Sequence, residues 1–315
     1  MNRRLKKISL YIVLTFGISY AMAAAFVLAG GKPGSMGIIP LALAYMFVPM
    51  IVTILVQKTI FKHPLSGPLG ISFTFNPWFF VAWFLPPLIA VATLGVSLLL
   101  PGISYTPDMS GFMQSLEGML TPEQAEASRK MIADLPVHYF WLMLVQTLIA
   151  GTTINAVLAF GEELGWRGLL VRELGFMGFW KSSALIGIIW GLWHAPLILL
   201  GLNYPQHPEL GVSVMTVFTL LLAPLIGYIR IKARSVIAAS IFHGTLNAVP
   251  GLALMLISGG DDLTVGITGL AGLIVLAAAN LLLFIFDHFI TREPVNAVLK
   301  NIAADEIENG VKTTV

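Results

Sequence analysis

Cysteine is absent from the 315-residue chain, which excludes disulfides, a thiol nucleophile and thiolate zinc sites together. Charge is scarce as well. Asp, Glu, Lys and Arg make up 11% of the residues, under half of the roughly 25% usual in soluble globular chains. Too few charged side chains remain to cover a water-soluble body of this size. The formal net charge is only +2, too small to draw the chain to nucleic acid, and no nucleic-acid partner is expected. Also missing are H-E-x-x-H, G-x-S-x-G and P-loop signatures. What the chain has is apolar surface: 57% of its residues are hydrophobic and its mean hydropathy is +0.86. These proportions define an integral membrane protein whose first partner is the lipid bilayer.

A helix needs about 20 mostly apolar residues to cross the hydrocarbon core. Eight stretches approach this length: 8–29, 36–57, 78–100, 142–171, 182–202, 212–229, 235–258 and 264–286. The fourth is interrupted by two glutamates, and the sixth is barely long enough. The expected fold is all-α, a polytopic membrane helix bundle of about eight transmembrane helices. With the N-terminus in the cytosol and every segment crossing, only Lys32, Arg129 and Lys130 of the 18 Lys and Arg residues fall outside. All others, from Arg3 to Lys312, fall on the inner side. That asymmetry places the protein in the cell membrane with both termini cytosolic. Arg3–Lys7 and Ala21-Met22-Ala23 resemble parts of a cleaved signal peptide, but an apolar run of about 22 residues exceeds the 7–15 of a signal core, so the segment is read as a span.

Residues 101–138 lie outside. They carry a helix start: Thr121 as cap, Pro122 at the first position and Gln124 completing a capping box. Ser128, Met131, Ile132 and Leu135 then share one face, which suggests a short helix lying on the membrane or over the bundle with a structural role. The tail from Asp287 to Val315 reads as a polar, fraying end. Gly259-Gly260-Asp261-Asp262 resembles a signature of aspartyl membrane proteases, yet it sits in an external loop and no second intramembrane aspartate pairs with it. It is read as a solvated turn.

An ionisable side chain at the bilayer centre costs roughly 2.5–3.5 kcal/mol on insertion scales, so each one marks a functional candidate. The fourth segment carries Glu162, Glu163 and Arg167, the fifth His194, and the seventh His243 and Asn247. At 1.5 Å per helical residue, Glu162 lies about 15 Å from Arg172, His194 about 20 Å from Lys181, and His243 about 14 Å from Arg234. Groups on three helices thus reach similar depths and can face one cavity, expected in the cytosolic half of the membrane. Glu163 and Arg167 are four apart and can pair on one face. Glu162 points about 100° away and is left for other work. His243 and Asn247 are likewise four apart, and Asn155 lies seven residues before Glu162 on its face. A carboxylate beside an imidazole can deprotonate a water, and a second imidazole with a carboxamide can donate to a developing oxyanion. Together these parts would hydrolyse an amide bond. The same groups also suit a proton- or ion-coupled transporter, or a polar network locking a non-catalytic scaffold. His63, His138, His207 and His288 are given no role, while Trp190 and Trp193 are read as packing around His194.

Glu162-Glu163-Leu164-Gly165-Trp166-Arg167 is an E-E-x-x-x-R, Trp190-Gly191-Leu192-Trp193-His194 is close to F-x-x-x-H, and His243-Gly244-Thr245-Leu246-Asn247 is H-x-x-x-N. In this order, over roughly 145–255, they resemble the CPBP family. Its members are CAAX-processing and bacteriocin-processing intramembrane proteases, also called the abortive-infection family, and include the type II CAAX prenyl endopeptidases. The resemblance implies a core over 142–258, preceded by three helices and the external segment (1–141) and followed by the last helix and tail (259–315). It implies Glu162 as catalytic carboxylate, His194 as its partner on the water, His243 and Asn247 as the oxyanion pair, and Glu163 and Arg167 as support. The substrate implied is a peptide or protein tail, lipidated or not, entering from the cytosolic side or laterally from lipid. No cofactor is committed. The family is usually labelled metalloprotease, and Glu162, His194 and His243 would be the ligands if zinc were present. The departure from the family pattern is Trp190, where Phe is usual.

Overall fold

The computed structural model describes residues 3–117 and 121–299. Lys300 and Lys312 of the basic asymmetry, and the end of the tail, lie outside the described residues. Ordered along the chain, helical stretches of eight or more residues are α1 (Arg3–Leu28), α2 (Ile38–Ile60), α3 (Pro77–Ser97), α4 (Ser110–Glu117), α5 (Pro122–Ala133), α6 (Tyr139–Thr152), α7 (Ile154–Met177), α8 (Phe179–Leu199), α9 (Pro208–Ala233), α10 (Val236–Ala248) and α11 (Leu270–Ile290). Among the described residues, the one strand pairing joins β1 (Ser104–Tyr105) to β2 (Ile257–Ser258), antiparallel. An all-α, multi-pass membrane bundle is the architecture.

Helix length and composition do not by themselves confirm the exact count of eight spans. Six helices among the described residues are long and apolar enough to cross, and α6 with α7 makes a seventh if the bent pair is one span. The bend is 47° at Thr153. Thr152 and Thr153 both donate their hydroxyls back to carbonyls of the preceding turn, a bond that competes with the helical ladder and bends it. The seventh stretch is broken: α10 has 13 residues, about 20 Å of helix, too short to cross alone, and Pro250 opens a short helix that carries the chain on to β2. Conversely α9, judged barely long enough, runs for 26 residues.

The capping box on α5 is present, with Thr121 accepting from the Gln124 amide and Gln124 reaching back. Ala125 is buried on it, Ser128, Ile132 and Leu135 are half-buried, and Met131 is exposed. The start of the tail does not fray. Asp287 accepts from the Val295 amide at 2.8 Å, and Val295, Val298 and Leu299 are buried.

Two close helix contacts assemble the bundle centre. Gly187 and Gly191 are one turn apart on α8, and a Cβ on either would lie 2.6 and 2.5 Å from Cα atoms of Leu220 and Thr216 on α9. Only glycine lets these backbones touch, the small-residue packing that joins helices in lipid. Gly244 on α10 meets the backbone of Asn155 and Ala156 on α7 in the same way. The helices bearing Glu162 and His243 are thereby drawn together.

The two ends of the bundle differ. At one end Lys7 pairs with Glu173 at 2.7 Å, Arg230 donates to the Leu69 carbonyl and Lys232 to that of Glu293. Loops are clasped at the other end. Tyr204 donates to the Thr268 carbonyl at 2.8 Å, Asp262 accepts from the Gln206 amide and His207 Nδ1, both at 2.7 Å, and β1 binds β2. Asp261 and Asp262 are therefore half-buried parts of a clasp rather than a solvated turn. The Thr264 hydroxyl bonded to Asp261 holds that carboxyl below the usual carboxylate range.

Candidate active site

Glu162 and Glu163 end the regular part of α7, and the chain winds as a π-helix from Leu164 to Leu170, a local form frequent at functional sites. The step between the two glutamates sends them different ways. Glu163 is fully buried and accepts from Arg167 at 2.9 Å. The same oxygen, Oε1, lies 2.8 Å from His243 Nδ1. A carboxylate only accepts, so His243 donates from Nδ1. The expected Glu163–Arg167 pair is thus a triad that also fixes the His243 ring.

Glu162 faces the other way, onto a cavity of about 830 Å³ that is also lined by His194, His243 and Asn247. Its Oε2 accepts from Trp190 Nε1 at 2.7 Å and from Trp166 Nε1 at 3.4 Å. Neither bond uses Oε1. His194 Nδ1 lies 2.8 Å from the Trp190 carbonyl; since that oxygen can only accept, the proton sits on Nδ1, and Nε2 of the neutral ring is an acceptor. Asn247, four residues after His243, is exposed along the cavity. Asn155 was expected to extend the stripe, but it does not line the cavity.

Trp190 is the hub of this arrangement. Besides binding Glu162, its ring lies edge-on to His243 with centroids 5.3 Å apart, is 5.8 Å from His194, and is covered by the Arg167 guanidinium at 4.3 Å. Reading it as packing missed the indole N–H. The signal was available: a tryptophan stood where the resembled motif has phenylalanine, and the two differ by one hydrogen-bond donor. His138 and His207 also have structural work, one capping α6 and the other held by Asp262.

The cavity does not reach the basic end of the bundle. From the four polar residues it runs past Leu197, Met215 and Leu254 to Gln114, Gln206 and residues 257–262. Beneath the site Trp166, Arg167, Leu169 and Leu170 are buried at 1% exposure or less and form a floor. The sequence had suggested entry from the cytosolic side or laterally from lipid; the cavity's lining extends to the loops at the end away from the basic residues.

Residues suited to a metal were compared with the zinc alternative. Among the described residues, one His/Asp/Glu trio offers ligand atoms all within 4.8 Å of one another: His207, Asp261 and Asp262. Their atoms already bond to each other and to nearby amides. Glu162, His194 and His243 do not close so tightly, and two indole donors occupy Glu162 Oε2. As arranged, these three do not fit a zinc ion.

Residues 136–249 match the family model described as Rce1-like, type II CAAX prenyl endopeptidase. The CAAX prenyl protease 2 of Methanococcus maripaludis is 39% identical over 93 residues, which cover 27% of this chain and 34% of that protein. Over this core the chain is similar to the CAAX protease (CPBP) family. The match spans about a third of the length of that curated relative.

Proposed function

We propose that the chain is an intramembrane endopeptidase acting on membrane-associated peptides or proteins. The observation that carries this reading is that Glu162, His194, His243 and Asn247 line one cavity inside the bundle, with Glu162 oriented by Trp190. Glu162 Oε1 and His194 Nε2 hold a water between them, and Glu162 takes its proton as the oxygen attacks the scissile carbonyl. Negative charge then develops on the carbonyl oxygen. The Asn247 amide donates to it, and so does His243 Nε2–H in the imidazolium form that Glu163 stabilises from the Nδ1 side. Glu162 returns its proton to the leaving amine, which completes the hydrolysis. Every step uses side chains of this chain, and the floor below them excludes bulk water.

Cleavage by purified protein in detergent, with a peptide library read by mass spectrometry, tests the proposal. Hydrolysis needs no sealed compartment, so products are expected; a protein inert to every peptide but active in sealed vesicles would point to transport instead. Prenylated peptides belong in the library because the relative is named a CAAX prenyl protease.

A second expectation concerns the hub. Trp190→Phe keeps the ring under Arg167 and between the imidazoles but removes the donor to Glu162. A hydrogen bond to a charged group is worth about 1.5–3 kcal/mol, so kcat is expected to fall about 10- to 150-fold. KM should change little, and adding the change to Glu162→Gln should cost nothing further. A fall in kcat that persists in the Glu162→Gln background would mean that Trp190 acts by another route.

A further inference from the structure

The cavity and the basic residues lie at opposite ends of the molecule, and this fixes where a substrate must come from. Helices α2, α7 and α9 finish, and α1 and α8 begin, at the end that carries Lys7, Lys58, Arg172, Lys181, Arg230 and Lys232. The start of α9 and α11 and the exit of α8 define the other end, where the Lys and Arg among the described residues are Lys32, Arg129 and Lys130. Lysine and arginine accumulate on the cytosolic side of a multi-pass protein. The buried floor of Trp166, Arg167, Leu169 and Leu170 therefore faces the cytosol, and the mouth faces away from it.

We propose that the site is fed from the non-cytosolic face, and that its substrates are apolar peptide segments presented at that surface. The proposal rests on the endopeptidase reading and specifies its substrate class. Three features of the mouth suit it. The walls between mouth and site are Leu197, Met215 and Leu254, which accept apolar side chains. Helix α4 packs beside the entrance so closely that a Cβ on Gly111 would lie 2.5 Å from the Ile257 carbonyl. Asp261 and Asp262 stand at the rim, and Asp261 is kept ionised by Thr264. A free C-terminal carboxylate passing them meets like charge, so internal bonds of a segment, rather than the last bonds of a tail, are favoured.

The natural lack of cysteine makes the test direct. Single variants Gln114→Cys at the mouth, Met46→Cys on the cavity wall and Lys58→Cys at the basic end are treated with a membrane-impermeant thiol reagent. Sealed right-side-out and inverted vesicles from expressing cells are compared. Gln114→Cys and Met46→Cys are expected to label in right-side-out vesicles, and Lys58→Cys only in inverted ones. Labelling of Met46→Cys from the same side as Lys58→Cys, or from neither side, would overturn the proposal. In parallel, a charged-ended, membrane-impermeant fluorogenic peptide with an apolar centre should be cleaved by right-side-out vesicles and not by inverted ones until detergent is added. Cleavage by inverted vesicles alone would also overturn it. No cleavage even in detergent, with labelling as expected, would overturn the endopeptidase reading and the substrate class while leaving the direction of the mouth established.

Discussion

Glu162→Gln lowers cleavage by about 10³- to 10⁴-fold and leaves the protein folded. The two side chains have nearly the same shape, and the glutamine carbonyl oxygen can still accept from the Trp190 indole, which now holds Glu162 at 2.7 Å. What disappears is the ability to take a proton from water and return it to the leaving amine. A positioned general base contributes about 10²–10⁴-fold. Here one group serves both proton transfers, so a loss at the upper end of that range is expected. The check is turnover on any peptide found to be cleaved, together with circular dichroism and elution in detergent to verify the fold. Cleavage within about tenfold of the parent, less than a general base contributes, would remove Glu162 from the mechanism.

The largest effect on stability is expected at Arg167. Its guanidinium is 1% exposed, and it is the strong partner of Glu163, which is wholly buried. Arg167→Met keeps much of the volume against Trp190 but leaves a buried carboxylate with His243 alone. Removing one member of a buried ion pair costs about 3–5 kcal/mol because the other charge stays uncompensated. The thermal midpoint in detergent should drop markedly. Adding Glu163→Gln should recover part of the loss, since the stranded charge is then gone. An Arg167→Met protein as stable as the parent would show that His243 suffices as counter-charge. The same substitution should slow cleavage as well, because it frees the Glu163 carboxylate that holds the His243 ring.

Much of this was legible in the chain. Apolar runs and the scarcity of charge gave a helical membrane bundle, and the insertion cost of Glu162, Glu163, Arg167, His194 and His243 marked out the residues now found around one cavity or just behind it. The i, i+4 spacing of Glu163 and Arg167 gave their pair, because that contact lies within a single helix. Relations between helices were not legible. Nothing in periodicity tells that the Trp190 indole on α8 reaches Glu162 on α7, or that His243 on α10 shares Glu163 with Arg167. Helix length was misjudged where polar side chains, not hydropathy, decide the ends: α10 stops after 13 residues, and Thr152 and Thr153 bend the fourth segment. The loops hid the most. Asp261 and Asp262 looked like a solvated turn, since an acidic pair beside two glycines carries no sign of the distant Gln206 and His207 that it binds.

The central claim is that these side chains activate a water to break a peptide bond. Cleavage run in H₂¹⁸O tests it most directly, with the products analysed by mass spectrometry after short reaction times. The account predicts one ¹⁸O in the newly formed C-terminal carboxylate, in the parent protein and not in Glu162→Gln. Products formed equally by both proteins, or a new carboxylate without the label, would contradict it.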